Sequence, residues 1–394
     1  MTATAGALAP ARRGGLRREQ VLGVSYLLLA AVIVVVFARV EAGAQSAFGL
    51  NLGRGGVQLP DLVVPSAPTA YLLAGVAAFA GAMQLTRGFG TRWALILAVV
   101  VIGFVFAFLT WAAAGGSMNL AGLLQSTLQR SVPITFGALS GILCERAGVV
   151  NVAIEGMLLT GAFVSAVVSS AAGNHWVGLA AAIIAGGLLA ALLAVLAIRY
   201  LVDQIIAGVV LNILAIGLTS FLATRVLVAY PDLNNPERFQ PVSLPLLEDI
   251  PLLGPIVLDN NVFIYLMFAA IAVLHVMLFR TRWGLRVRAV GEHPKAADTV
   301  GINVYFVRYR NVILGGMLAG LGGAYFTLGS TGGFEQEMTA GRGFIGLAAM
   351  IFGGWAPIGS FLAALVFGFA DALQSRLSIL NIPVASQFLQ MAPY

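Results

Sequence analysis

The sequence predicts an all-α protein, a polytopic bundle of transmembrane helices. Two observations carry this. Of the 394 residues, 59% are hydrophobic and only 10% are charged, against roughly 25% charged in soluble domains. Apolar windows near the ~20 residues needed to cross a bilayer also recur about eleven times. They fall at residues 21–40, 69–85, 93–114, 120–143, 149–171, 177–198, 205–229, 262–279, 312–330, 344–355 and 358–377. The last few are short or broken, as expected of helices interrupted near a midplane.

Taken in order, the first three windows are plain. Residues 1–116 read as an N-terminal extension of three transmembrane helices with almost no polarity inside them, suited to scaffolding or lipid contact. From residue 117 onward, to 394, polar residues enter the spans. Gln125, Gln129, Arg130 and Pro133 lie in the fourth window and Asn212 in the seventh. The fifth is the most polar at its start, where Glu145, Arg146, Asn151 and Glu155 stand in and beside an apolar run. A carboxylate at the centre of a membrane helix costs on the order of 3 kcal/mol on insertion scales. It persists where it faces protein or a wet path. Asn151 and Glu155 are four apart, so on a helix they share a face. Two roles are open to Glu155: lining a route through the membrane, or bracing two helix ends through hydrogen bonds or an ion pair, Arg146 and Arg130 being candidate partners.

A second polar insertion, Thr331-Gly-Gly-Phe-Glu-Gln-Glu-Met-Thr-Ala-Gly-Arg-Gly343, carries Phe334, Glu335 and Glu337 and precedes a short apolar run. That run, 344–352, covers about half a bilayer at 1.5 Å per residue. Short spans broken by Gly and Pro point to a midplane site in transporters. The many glycines of 315–354 fit close helix packing or backbone unwinding beside a cavity.

Charge gives an orientation. Arg12, Arg13, Arg17 and Arg18 precede the first span, Arg87 and Arg92 follow the second, and Arg199 ends the sixth. Arg280, Arg282, Arg286, Arg288 and Lys295 follow the eighth, with Arg308 and Arg310 beyond. A cytoplasmic N-terminus puts every cluster inside under the positive-inside rule, and the Pro-rich segment 230–260 outside. The net charge of +6 is therefore membrane topology and not a nucleic-acid surface. No cleavage site follows the first span, which is read as an anchor. The single cysteine, Cys144, excludes an internal disulfide, and His175, His275 and His293 are too scattered to hold a metal. The one lysine, Lys295, follows Pro294 and precedes Ala296, so no phosphate-binding loop exists. Any ATP that drives transport is bound and hydrolysed by another polypeptide, and no cofactor is expected in this chain.

Residues 281–304 form the longest inside connection. Pro294 suits the first turn of a helix, and 295–300 then form a short helix with Ala296, Ala297 and Val300 as an apolar strip, fit to lie on lipid or to dock in a groove of a soluble partner.

Three motifs resemble a known family. Glu145-Arg-Ala-Gly-Val-Val-Asn-Val-Ala-Ile-Glu-Gly-Met157 is similar to the signature of membrane permease subunits of bacterial ABC importers, in the branch that includes ribose and branched-chain amino-acid permeases. Ala289-Val-Gly-Glu-His-Pro-Lys-Ala-Ala-Asp-Thr-Val-Gly-Ile-Asn-Val304 resembles the cytoplasmic loop by which those permeases contact their ATPases. Gly332-Gly-Phe-Glu335 and Gly341-Arg-Gly-Phe-Ile-Gly-Leu-Ala-Ala-Met-Ile-Phe-Gly-Gly-Trp355 complete the likeness, which runs from about Asn119 to Gln390. Within the branch the wording is most similar to nucleoside permeases that work with basic-membrane-lipoprotein type binding proteins. Relatives begin near Asn119 and continue beyond Tyr394 into one more span, so the chain reads as extended at its start and either truncated or one helix shorter at its end.

The resemblance implies a permease core at 117–394 with a coupling loop at about 280–304, in a bacterial plasma (inner) membrane. It implies three protein partners: an ABC ATPase subunit, a second permease subunit (identical or homologous) and a substrate-binding lipoprotein. Asn151, Glu155, Asn212, Phe334 and Glu335 are then the expected substrate-path residues. Arg288, Gly291, Glu292, Ala296, Ala297 and Gly301 are the expected ATPase-coupling residues. The cargo expected is a nucleoside, with simple sugars or branched-chain amino acids as the alternative. An ion-coupled secondary transporter is the less favoured class, and no Ser/His or metal constellation supports an intramembrane enzyme.

Overall fold

The structure is a computed structural model that describes residues 18–41, 43–52, 59–243, 250–251 and 254–379. Arg12, Arg13 and Arg17, parts of the segment 230–260, and the C-terminus at Tyr394 lie outside the described residues. The described residues form two compact units, one within 1–50 and 60–120, the other within 51–59 and 121–394.

The first unit comprises α1 (Arg18–Val32), continued by a π-helical turn at Ile33–Phe37, then β1 (Gln45–Gly49), β2 (Leu62–Pro65), α2 (Ser66–Thr86), α3 (Trp93–Ala112) and β3 (Ser117–Asn119). Gly23 of α1 lies against Leu85 of α2, and Leu27 against Gly81, so the two helices run antiparallel. Phe37 packs on Phe104, Phe108 and Trp111 of α3. Three short strands in the connections leave the helical bundle expected from the sequence intact. β1 pairs antiparallel with β2 and parallel with β3, because connections beside apolar helices must pair their own backbone groups. The buried Ser46 hydroxyl donates to the Thr110 carbonyl and shares a hydrogen bond with Ser66 Oγ, which ties β1 to α2 and α3.

The second unit holds α4 (Leu120–Glu145), α5 (Ile154–Ala172), α6 (His175–Ala194), α7 (Gln204–Leu222), the two-residue strands β4 (Val242–Ser243) and β5 (Asp259–Asn260), α8 (Val262–Arg280), α9 (Arg282–Glu292), α10 (Pro294–Thr299), α11 (Val304–Ala324), α12 (Arg342–Phe352) and α13 (Pro357–Ile379). Asn174, Asp203, Asn261 and Asn303 accept from backbone N–H groups at the starts of α6, α7, α8 and α11, which satisfies donors that a helix start leaves free. Nine helices among the described residues are long and apolar enough to span a membrane. α4 has 26 residues, a length of about 39 Å, and α12 has 11, about half a bilayer. With these two the eleven predicted windows are accounted for.

Three boundaries differ from the sequence reading. α5 begins at Ile154 and not at residue 149, so Asn151 lies in the preceding turn and shares no helix face with Glu155. The reason is local: Asn151 Oδ1 accepts from the Ala153 N–H at 3.0 Å, a side-chain turn that competes with helix. The connection 281–304 is mostly the two helices α9 and α10, and α11 begins early enough to include Arg308 and Arg310.

At the core, α5, α6 and α11 approach through glycine. A Cβ on Gly186 of α6 would stand 2.3 Å from the Gly316 carbonyl oxygen, and one on Gly323 would stand 2.0 Å from that of Leu158. Without side chains there, dispersion acts at backbone distance, which is what holds helices together in lipid.

Candidate functional site

The signature around Glu145–Glu155 and the short helix α12 meet. Glu155 sits in the first turn of α5, 5% exposed. Its Oε1 accepts from Thr339 Oγ1 at 2.6 Å and from the Gly341 N–H at 2.8 Å, and its Oε2 accepts from the Gly343 N–H at 2.6 Å. These backbone donors belong to the N-terminus of α12, where orphan N–H groups and the helix dipole favour a negative charge. Gly341 lies at φ 79°, and Glu337 and Ala340 are also left-handed, so the chain 335–341 winds tightly enough for two N–H groups to converge on one carboxylate. A side chain at Gly343 would stand 2.6 Å from the Glu155 backbone, which is why glycine is required at that approach.

The other end of α12 is held from α4. Arg146 Nε and Nη2 donate to the Trp355 carbonyl at 3.1 and 3.0 Å, and Nη2 also reaches the Gly354 carbonyl. Trp355 Nε1 donates to Glu145 Oε2 at 2.5 Å. A cation thus faces the carbonyl end and an anion the amide end, the arrangement the helix dipole favours. In the middle, Gly346 abuts Gly137 and Ala138 of α4.

Next to the start of α12 opens a polar cavity of about 380 Å³, lined by Ser126, Gln129, Arg130, Pro133, Tyr325, Phe326, Ser330, Thr331, Glu335, Met338 and Arg342. Asp371 of α13 holds two of these walls. Its carboxylate accepts from Arg130 Nη1 at 2.5 Å and from Arg342 Nη2 at 3.0 Å, while Arg130 Nη2 donates to Ser375 Oγ. The guanidinium of Arg342 lies 5.7 Å from the Phe326 ring centroid. A second polar cavity of about 300 Å³ shares Gln129 and is lined also by Gln125, Arg238, Gln240, Asp259, Asn260 and Asn261. The first cavity presents guanidinium and amide donors, carboxylate and hydroxyl acceptors, and two aromatic rings. These are groups that can hold a small planar, polyhydroxylated solute of no net charge, in a volume within the usual ligand range of about 300–1,000 Å³.

The five residues expected along a path are placed unevenly. Glu335 lines the 380 Å³ cavity. Glu155 braces α12, through backbone amides and Thr339 and not through Arg146 or Arg130. Asn151 is fully buried and its Nδ2 points at the sulfurs of Cys144 and Met157. Asn212 accepts from the Gly156 N–H at 2.8 Å and donates to the Val152 carbonyl at 2.9 Å, fastening α7 to the start of α5. Phe334 is buried edge-on against Phe163, ring centroids 5.1 Å apart, and its backbone pairs with the Asn234 amide. Asp371 was missed. The signal was available, since it is a carboxylate inside an apolar window.

Of the coupling residues, Glu292 and Ala296 are exposed, Arg288 and Gly291 are half-buried, and Ala297 is buried in the core. Gly301 closes α10 at φ 81°. Gly291 is pressed on the turn after α4, where a Cβ would stand 2.3 Å from the Arg146 carbonyl oxygen. Arg308 Nε donates to the Ala147 carbonyl in the same turn. α9 and α11 therefore both grip the peptide segment whose arginine side chain holds the end of α12.

The half-length helix is pinned at both ends, with a polar cavity at its start. Residues 123–393 match the family described as the branched-chain amino acid transport system / permease component, and the chain belongs to that family. It is 39% identical over 284 residues to the guanosine ABC transporter permease protein NupQ of Bacillus subtilis, covering 70% of this chain and 89% of the relative. It is 40% identical over 292 residues to the nucleoside ABC transporter permease protein NupC of Lactococcus lactis, covering 70% and 91%. A putative glucose ABC transporter permease protein, TsgC13 of Haloferax volcanii, is 37% identical over 262 residues, covering 66% and 79%. No solved structure matches the chain.

Proposed function

We propose that this chain forms, with a second permease subunit, the path by which an ATP-driven importer carries nucleosides across a bacterial plasma membrane, its N-terminus on the cytoplasmic side. The observation that carries the reading is the 380 Å³ cavity. It combines the rings of Tyr325 and Phe326 with Gln129, Arg130, Arg342 and Glu335. Offset stacking on a ring is open to any base. Guanidinium and amide donors suit base carbonyl and ring-nitrogen acceptors, and a carboxylate suits ribose hydroxyls. The relatives named for guanosine and nucleosides support the same reading.

In this mechanism the binding lipoprotein delivers the solute and the ATPase docks on α9 and α10. Movement of α9 passes through Gly291 to the Arg146–Gly148 turn, through the Arg146 guanidinium to the end of α12, and along that rigid helix to Arg342 at the cavity. Alternating access then requires that the two positions of α9 differ in contact energy with the ATPase. A glucose permease among the relatives keeps a sugar importer as the second reading.

Uptake of labelled nucleosides, glucose and leucine in cells with and without the chain tests the cargo. Loss of nucleoside uptake alone on deletion is expected. Loss of glucose or leucine uptake with nucleoside uptake intact overturns it.

A further inference from the structure

A second cavity has none of the polarity of the first. Between α6, α8 and α11 lies a groove of about 280 Å³ walled by apolar side chains, among them Ile183, Leu274, Met277, Trp283, Leu314 and Leu321. One helical turn before Leu314, at i and i+4 on the same face of α11, stands Arg310. Its guanidinium lies 5.5 Å from the Trp283 ring centroid and 5.4 Å from that of Phe306. Arg310 Nε is shielded from solvent and has no hydrogen-bond partner among the described residues. None of Arg310, Arg282 and Arg286 meets a carboxylate at ion-pair distance among the described residues.

We propose that this groove is a phospholipid site. It takes one acyl chain of an anionic phospholipid along Leu314–Leu321, with the headgroup phosphate held by Arg310. The chemistry selects an amphiphile. A soluble anion makes no use of an apolar groove, and an extended peptide needs backbone partners that these walls do not offer. The Arg310 guanidinium meets no carboxylate among the described residues, so an anion beside it is electrostatically favoured. Basic pockets at the ends of membrane helices attract anionic lipid headgroups. Trp283 lines the groove and lies within cation–π range of the Arg310 guanidinium. Because Arg310 belongs to the helix that also grips the Ala147 carbonyl through Arg308, the lipid would steady the turn that holds α12.

The test is quenching of Trp283 by lipids brominated on the acyl chain. The full-length chain is reconstituted in bilayers, and the Trp283 signal is taken as the part of the fluorescence absent from Trp283→Phe. Brominated phosphatidylglycerol is expected to quench it at about a five-fold lower mole fraction than brominated phosphatidylcholine, the order set by one basic residue meeting one anionic headgroup. Arg310→Gln is expected to abolish the difference, Arg310→Lys to retain it, and Leu318→Phe, which fills the groove, to weaken quenching by both lipids. Equal quenching by the two lipids in the unaltered chain, or a preference that survives Arg310→Gln, overturns the proposal.

Discussion

At the residue scale, Glu155 shows how a carboxylate survives in an apolar bundle. Its three acceptor contacts all come from one short stretch of backbone and one hydroxyl, and hydrogen bonds to a charged group contribute about 1.5–3 kcal/mol each. Replacing it by Gln keeps the shape but turns an amide N–H₂ toward N–H donors. Glu155→Gln is therefore expected to lower stability by about 3 kcal/mol, read as a lower unfolding temperature in detergent and less folded protein. A stability equal to that of the unaltered chain would remove the bracing role. Asp371 is the parallel case on the cavity side. Asp371→Asn should loosen both Arg130 and Arg342, and tighter binding or faster transport of acidic solutes is the expected change in selectivity assays. The sequence exposed Glu155 because it stood in a recognisable polar cluster. Asp371 does not stand out, because it is the lone acid of its window and its two partners lie 241 and 29 positions away.

At the element scale, the half-helix α12 is the part on which the site depends. An isolated 11-residue helix is marginal in water. Here its first N–H groups are capped by Glu155, the turn that follows it is held by Arg146 at the Gly354 and Trp355 carbonyls, and its flank lies at Gly346 against α4. Gly343→Ala is expected to displace the start of α12 and abolish transport, because its Cβ has nowhere to go. Normal uptake by that variant would show that α12 tolerates the shift. Gly186→Ala should separate α6 from α11 at a cost of about 1–3 kcal/mol, measurable by thermal unfolding. The length of α12 was legible from the spacing of Gly and Pro around 344–355. Its anchors were not, because no local pattern tells a membrane carboxylate that lines water from one that caps a helix across 186 positions of chain. The strands of the first unit were also unreadable, since segments of three to five residues carry no periodic signal.

At the scale of the whole molecule, number of spans and family were legible, because composition and long apolar windows are global properties. The coupling segment was legible in place but not in form. Pro294 marks α10, whereas the arginines of α9 mask the apolar face of Gly284, Val287 and Val290 that buries it. Gly291→Ala, which forces α9 off the Arg146 carbonyl, is expected to leave ATP hydrolysis by the assembled transporter running while nucleoside uptake falls. Parallel loss of both activities would place the fault in assembly and not in transmission.

The most direct measurement compares uptake of guanosine, adenosine and uridine by cells carrying Glu155→Gln, Glu335→Gln or Gln129→Ala, each normalised to folded permease. Glu155→Gln should reduce all three nucleosides by the same factor. Glu335→Gln and Gln129→Ala should change their relative rates, by about ten-fold where one hydrogen bond to substrate is lost, equivalent to roughly 1.4 kcal/mol. Altered discrimination by Glu155→Gln at normal protein level, with the two cavity variants unchanged, would contradict the division between clamp and path.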